Sequence, residues 1–173
     1  MAQSNERELH KIFKTWGEEP WAAKIAKALN LEKNKNNLPK TTIQLADLVS
    51  RTIPRRFHKN GFHPATRTFQ ALRIAVNHEL KELELLLSSL SKNMLKGSRL
   101  AVISFHSLED RCVKRFIRAQ QRGLTTPKYL PTKDFDKNVR LVGIGSAIKP
   151  TQSEVAHNWR ARSAVMRVAE RVA

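Results

Sequence analysis

Between Pro64 and Leu90, the apolar residues Phe69, Leu72, Val76, Leu80, Leu83, Leu87 and Leu90 recur at steps of three and four, the longest such run in the chain. At about 100° per residue that spacing lines one face of a helix, so the pattern predicts one long amphipathic helix starting at about Pro64 and running through Leu90. Beside this face runs a second stripe, Thr66, Gln70, Arg73 and Asn77, at steps of four, three and four. A polar stripe opposite the core is ordinary solvent surface. One that borders the core is expected to be partly buried and to need partners, whether structural or functional.

The rest of the chain arranges itself around that segment. Leu9, Ile12, Phe13 and Trp16 form one helical stripe, broken at Gly17, and Trp21, Ile25, Ala28 and Leu29 form the next. The polar run from Glu32 to Lys40 reads as a surface loop. Thr41 stands three residues before Gln44, a capping-box spacing, so a short helix follows through Leu45, Leu48 and Val49 until Pro54 stops it. A basic stretch comes next: Arg55, Arg56, His58 and Lys59.

Beyond Gly97, the run Arg99 to Phe105 reads as a buried strand, and Ser107 as the cap of a helix with Glu109 and Asp110 in its first turn. That helix would bury Val113, Phe116 and Ile117 and carry Arg111, Arg115, Arg118 and Arg122 on another face, ending at Gly123. The basic stripe is either a solvated face or a row of phosphate contacts. A loop over 124–138 containing Pro127 and Pro131 precedes two strands, about Arg140 to Ile148 and Ser163 to Val168, the latter with Ala164, Met166 and Val168 on one side. The strand–helix–strand unit predicts a parallel sheet edge, and the terminal pair an antiparallel hairpin. About three strands make a poor independent sheet.

With 32 Lys+Arg against 15 Asp+Glu, the formal net charge is +17, which points to a polyanionic partner, nucleic acid before an acidic membrane. Cys112 is the only cysteine, so no internal disulfide forms; its place in a helical pattern suits a small core filler rather than a nucleophile. No apolar run is long enough to span a membrane and the N-terminus lacks a signal-peptide core, which reads as a cytoplasmic protein without membrane partners. No motif carries chemistry alone. Gly143-Ile144-Gly145 lies in or beside a strand, where glycine usually means close packing; His and Cys are not at metal spacing; and the neighbours His106, Ser107 and Glu109 do not make a hydrolytic triad.

Three segments carry a resemblance: His63 to Asn77 (HPATRTFQALRIAVN), Ser104 to Arg115 (SFHSLEDRCVKR) and Asn158 to Arg171 (NWRARSAVMRVAER). They resemble the bacterial ribosomal RNA small subunit methyltransferase H family, which methylates the N4 of a cytidine in 16S ribosomal RNA. Lys14 to Glu19 (KTWGEE) resembles that family's KTYGEE segment, with Trp16 for Tyr. Lys96-Gly97-Ser98 stands where the family usually has Pro-Gly-Gly, and Trp159 where it usually has Pro.

The resemblance implies an α/β fold, the C-terminal part of a class I methyltransferase Rossmann-like sheet of about three strands with the last pair antiparallel. Residues 1–60 would belong to a helical substrate-recognition insertion and 61–173 to the Rossmann-like domain, supplying its fifth, sixth and seventh strands. The family's Gly-rich loop, its acid for the donor ribose and its DLGVSS-type segment have no counterpart here. The chain alone is therefore expected to be inactive and not to bind S-adenosylmethionine, the family's cofactor. The alternatives are a non-catalytic ribosomal RNA-binding module or one half of a split enzyme. The expected partner is 16S ribosomal RNA or the small subunit. An exposed strand edge, with Leu100, Val102 and Phe105 meeting water, would favour a dimer or a complementary N-terminal chain.

Ligands of open α/β sheets sit at the carboxyl ends of strands, where Ser104, Phe105, His106 and Ser107 lie. There Phe105 could pack on the base, and His106 and Ser107 could hydrogen-bond it or a phosphate; a capped-turn histidine is the competing reading of His106. Thr66, Arg67, Gln70, Arg73 and Asn77 could hold that loop or the RNA. Arg111, Arg115, Arg118, Arg160 and Arg162 suit phosphate contacts. No residue is assigned as catalytic, cofactor-binding or metal-binding.

Overall fold

The computed structural model describes residues 4–58, 61–122 and 140–173. Lys59, Gly123 and the loop over 124–138 fall outside the described residues, as does the side chain of Arg122. The chain packs as two units, Met1–Glu79 and Leu80–Ala173. This division follows packing and lies nineteen residues beyond the 60/61 boundary drawn from the sequence.

In the first unit, α1 (Glu6–Gly17), α2 (Ala22–Asn34), α3 (Thr42–Thr52) and α4 (Thr66–Asn77) surround one apolar cluster. The side chains of Asn5 and Glu8 close a capping box at the start of α1, and those of Thr41 and Gln44 close the expected one at α3. Leu9, Phe13, Ile25, Leu29 and Val49 fill the cluster. The polar run after α2 is shorter than its composition suggests, because the helix continues through Asn34.

The single long helix predicted from Pro64 is two helices. α4 ends where His78 adopts a left-handed conformation (φ 53, ψ 29), and α5 (Glu79–Asn93) begins at the next residue. Asn and His tolerate this region better than most residues. The Glu79 carboxylate stabilises the break by accepting hydrogen bonds from Arg73 Nε, Arg73 Nη2 and Asn77 Nδ2. The buried side of α4 is turned from the predicted one, although Phe69 and Leu72 still pack against the cluster. Ala65, Thr68, Ala71 and Ile74 are enclosed, while Val76, a member of the predicted apolar face, is 76% exposed. Gly17 explains how closely α1 and α4 approach: a Cβ there would lie 2.7 Å from the Arg67 carbonyl oxygen and 3.2 Å from Ala71 Cβ.

The second unit holds α5 from Leu80 onward, β1 (Arg99–Ser104), α6 (Ser107–Arg122), β2 (Leu141–Ile148), α7 (Gln152–His157) and β3 (Val165–Arg171). The strand order is β1-β3-β2, and both ladders are antiparallel. The expected antiparallel terminal pair is present, whereas the expected parallel edge is not. β1 and β2 run in the same direction, but the returning β3 separates them, pairing Leu100 with Ala169 on one side and Gly143 with Ala169 on the other. A bulge interrupts β2 between Ile144 and Ile148, where Gly145 has φ +65, a value glycine adopts without a Cβ penalty. Gly143 instead lies over α6, with room for a Cβ at ordinary contact distance, 3.4 Å, from Ile117 Cγ2. β3 starts and ends later than the sequence pattern predicts, because α7 and a 3₁₀ turn at Trp159–Ser163 precede it.

Leu87, Val113, Ile117, Leu141 and Ala169 form this unit's core, with Leu83, Leu100, Val102, Cys112 and Phe116 packed against it. Burial pushes the Cys112 thiol pKa up, and the nearby Glu84 carboxylate adds to the shift, as suits a packing residue. β1 is only half-covered, contrary to the buried strand predicted. Leu100 and Val102 pack on the core, while Ile103, on the opposite face, is 57% exposed. That outer face also carries Ala101, Ile144, Met166 and Val168, which the ladder register places side by side.

Candidate nucleic-acid interface

The turn after β1 is held by its own side chains. Glu109 Oε2 accepts hydrogen bonds from the backbone N–H of Phe105 (2.9 Å) and His106 (3.3 Å). The Glu109 N–H donates to His106 Nδ1 at 3.3 Å, and His106 Nε2 lies 3.3 Å from Glu109 Oε1. The His106 carbonyl accepts the first helical hydrogen bond, from Asp110 N, so His106 occupies the cap position one residue ahead of the expected Ser107. His106 thus has the geometry of a capped-turn histidine. Ser104 is buried, and Phe105 is 56% exposed beyond the strand end.

The start of α6 is anchored to the sheet by a pair that the sequence reading missed. Arg167 on β3 donates two hydrogen bonds to Asp110, Nε to Oδ1 at 2.6 Å and Nη2 to Oδ2 at 3.0 Å. Hydrogen bonding to Arg167 holds the Asp110 carboxyl below its ordinary pKa against the opposing effect of burial, and the same bond raises the Arg167 pKa. The available signal was strand alternation: Arg167 shares its face with Ala169, and a charge on an inward face needs a partner.

The remaining candidates are distributed along separate elements. Arg111, Arg115 and Arg118 lie on the exposed side of α6, a placement that both the solvated-face and phosphate-contact readings allow. Arg160 and Arg162 sit in the 3₁₀ turn before β3, with the Arg162 guanidinium 4.5 Å from the centre of the exposed Trp159 ring. On α4 the polar stripe is less buried than its sequence position predicts. Gln70 is half-buried, but Thr66, Arg73 and Asn77 are exposed, because the core face of α4 is turned toward Thr68 and Ala71. Thr66 Oγ1 donates to the His63 carbonyl at 2.7 Å, and Arg67 Nη1 donates to the Glu18 carbonyl at 3.1 Å, where α1 ends in a left-handed residue.

Because the Arg73 side chain is 56% exposed, Arg73→Ala should lower stability by less than about 1 kcal/mol despite its paired hydrogen bonds to Glu79. The exposed Lys81→Ala should cost less than about 0.5 kcal/mol. Urea unfolding of both variants tests this, and a loss of several kcal/mol for Arg73→Ala would mean that its Glu79 contact carries more of the fold than its exposure implies.

The sequence profile of the MraW methylase family matches residues 1–172. The chain belongs to this family. Among the relatives of this chain are proteins named ribosomal RNA small subunit methyltransferase H. That of Polynucleobacter necessarius is 47% identical over 171 residues, covering 99% of this chain and 53% of that protein. Those of Chromohalobacter salexigens and Nitrosococcus oceani are 47% and 46% identical over 173 residues each, covering 99% of this chain and 51% and 54% of theirs. The chain spans about half the length of the curated relatives it matches.

Methyltransferase membership raises the question of whether these residues suit a nucleotide-like methyl donor. Such a donor is bound by free backbone N–H groups in a Gly-rich turn following a strand. The turn after β1 contains no glycine, and the Phe105 and His106 N–H groups are engaged by Glu109. Among the described residues the glycines with positive φ, Gly61, Gly97 and Gly145, lie before α4, before β1 and within the β2 bulge. The described residues therefore do not fit S-adenosylmethionine. No helix among the described residues is long and apolar enough to cross a membrane.

Proposed function

We propose that this chain serves as the RNA-facing part of a 16S ribosomal RNA (cytosine-N4) methyltransferase and does not transfer methyl groups by itself. The observation that carries this reading is the family match over residues 1–172, with relatives named for the small-subunit RNA. The net charge of +17 and the exposed arginines of α6 supply the attraction for RNA. Residues 1–60 act as the helical recognition segment, and β1, β2 and β3 serve as the fifth, sixth and seventh strands of a class I sheet. The antiparallel final pair supports that assignment.

In this reading Phe105 packs on a cytosine taken out of its stack, and the Ser104–Ser107 turn forms one wall of its pocket. Donor binding and the reaction itself require residues beyond those described. β1 pairs only with β3 among the described residues, so its other edge is the place for a further strand. The engagement of the turn's N–H groups by Glu109 favours a non-catalytic RNA-binding module as the second reading.

Titration of the purified chain with a decoding-region RNA fragment tests RNA binding. Contact with about five phosphates of a single strand gives a log K against log salt slope of roughly −3 to −4. A flat salt dependence, or no binding at low salt, would exclude the RNA reading. Calorimetry with S-adenosylmethionine should give no binding at micromolar concentration; micromolar affinity, or methylation of small-subunit RNA by this chain alone, would overturn the non-catalytic part.

A further inference from the structure

We propose that Trp21 and Phe57 form a stacking platform for an unpaired RNA base, with Lys24, Arg55 and Arg56 binding the flanking phosphates. The site deepens the RNA reading above and rests on it. It lies within the first unit and uses none of the residues assigned from the sequence resemblance. The Trp21 and Phe57 rings meet with centroids 5.1 Å apart and planes tilted by 55°. Lys24 Nζ stands 4.6 Å from the Trp21 ring centre, and the Arg56 guanidinium 4.9 Å from that of Phe57.

The local sequence builds this arrangement. Trp21 precedes α2 with its N–H donated to the buried Glu19 carboxylate at 2.9 Å, and Lys24 follows in the first turn of the helix. Phe57 ends a 3₁₀ turn initiated by Pro54, in which the Phe57 N–H donates to the Pro54 carbonyl. His58 Nε2 lies 2.9 Å from the Ile53 carbonyl and closes the turn from the other side.

Two properties point to a nucleic-acid base rather than to packing. First, Phe57 is 48% exposed although it touches a half-buried tryptophan at the margin of the core, so its ring is accessible to a base. Second, both rings are attended by cations, and Lys24, Arg55 and Arg56 are all exposed. A ring face with a neighbouring positive charge matches both parts of a nucleotide: the flat base replaces the guanidinium on Phe57, and the released Arg56 meets the adjoining phosphate. Every base has a π-face, so the platform selects single-stranded character rather than sequence.

The test uses the full chain and a fluorescent single-stranded oligoribonucleotide of about ten nucleotides, within the usual site sizes of such proteins. Phe57→Leu keeps the apolar bulk and removes the π-face. It should weaken single-strand binding about tenfold, leave the salt slope unchanged, and leave binding to a duplex of the same sequence unaltered; Phe57→Tyr should restore affinity. Arg56→Gln should reduce the salt slope by about 0.7, the share of one phosphate contact. Melting curves of each variant confirm that the fold is retained. Wild-type single-strand affinity in a folded Phe57→Leu chain, with salt-dependent binding intact, overturns the platform and spares the RNA reading. Absence of any RNA binding by the unaltered chain overturns both.

Discussion

Gly17→Ala is expected to destabilise the helical unit by about 2 kcal/mol, although helix propensity alone predicts the opposite sign. Alanine is favoured over glycine within a helix by about 1 kcal/mol, and Gly17 is the last residue of α1. Its missing side chain faces the α4 backbone, however, and an added Cβ would sit 2.7 Å from the Arg67 carbonyl oxygen. That obstacle is main chain and cannot rotate away. α1 or α4 must shift, which strains the packing of Phe13 and Ala71 and costs roughly 1–3 kcal/mol, occasionally more, for forced overpacking. The Arg67–Glu18 hydrogen bond at the same junction would be stretched by the same movement. Thermal or urea unfolding decides between the effects: a neutral or stabilised variant would mean that α4 yields at little cost.

Asp110→Asn should lower the stability of the second unit by about 2 kcal/mol at neutral pH, in the range for losing hydrogen bonds to a charged group that stays largely covered. The variant leaves Arg167 on the inward face of β3 without an anionic partner, and both side chains of the pair are about one-fifth exposed. The pH dependence gives a second, independent reading. The folded-state Asp110 pKa is depressed, chiefly by its hydrogen bond to Arg167. Its contribution is therefore fully present above the unfolded carboxylate value of about 4 and is lost as pH falls through the lower folded value. The stability curves of the wild type and of the Asp110→Asn variant should converge in that acid window. A gap that persists unchanged into strong acid would assign the loss to packing rather than to charge.

Helix positions in the first unit were legible because their signals are local. The apolar spacing of Leu9 to Trp16, the Thr41 and Gln44 cap and Pro54 each act within a turn or two of chain. The three strands were legible for the same reason. The break at His78 was not, since Leu80 to Leu90 continues the helical spacing across it, and the break depends on Arg73 and Asn77 converging on Glu79. Nor was the full buried side of α4: Val76 outweighs Ala71 in apolarity, but it is Ala71 that meets Gly17, and Val76 is exposed. Among the site candidates, the association of His106 with Glu109 is a three-residue spacing open to the eye. The Asp110–Arg167 pair spans 57 residues, and no periodicity links its ends. Trp21 and Phe57 likewise come from different elements, and their sequence neighbours gave only the basic half of the pattern.

The central place of β3 has a consequence for the order in which the sheet is assembled. β1 and β2 are both synthesised before the strand that joins them, and among the described residues neither has a ladder partner until Val165 to Arg171 exists. The nearer closure is with β2, where Ile144 finds Val168. The farther one joins residues as distant as Arg99 and Glu170, 71 positions apart. Loop closure is harder for the longer span, so the β2–β3 hairpin is expected to form ahead of its docking against β1. During that interval Leu100, Val102 and Ile103 belong to an apolar strand still lacking β3, whose protection from aggregation would depend on the neighbouring helices and the chain's positive charge.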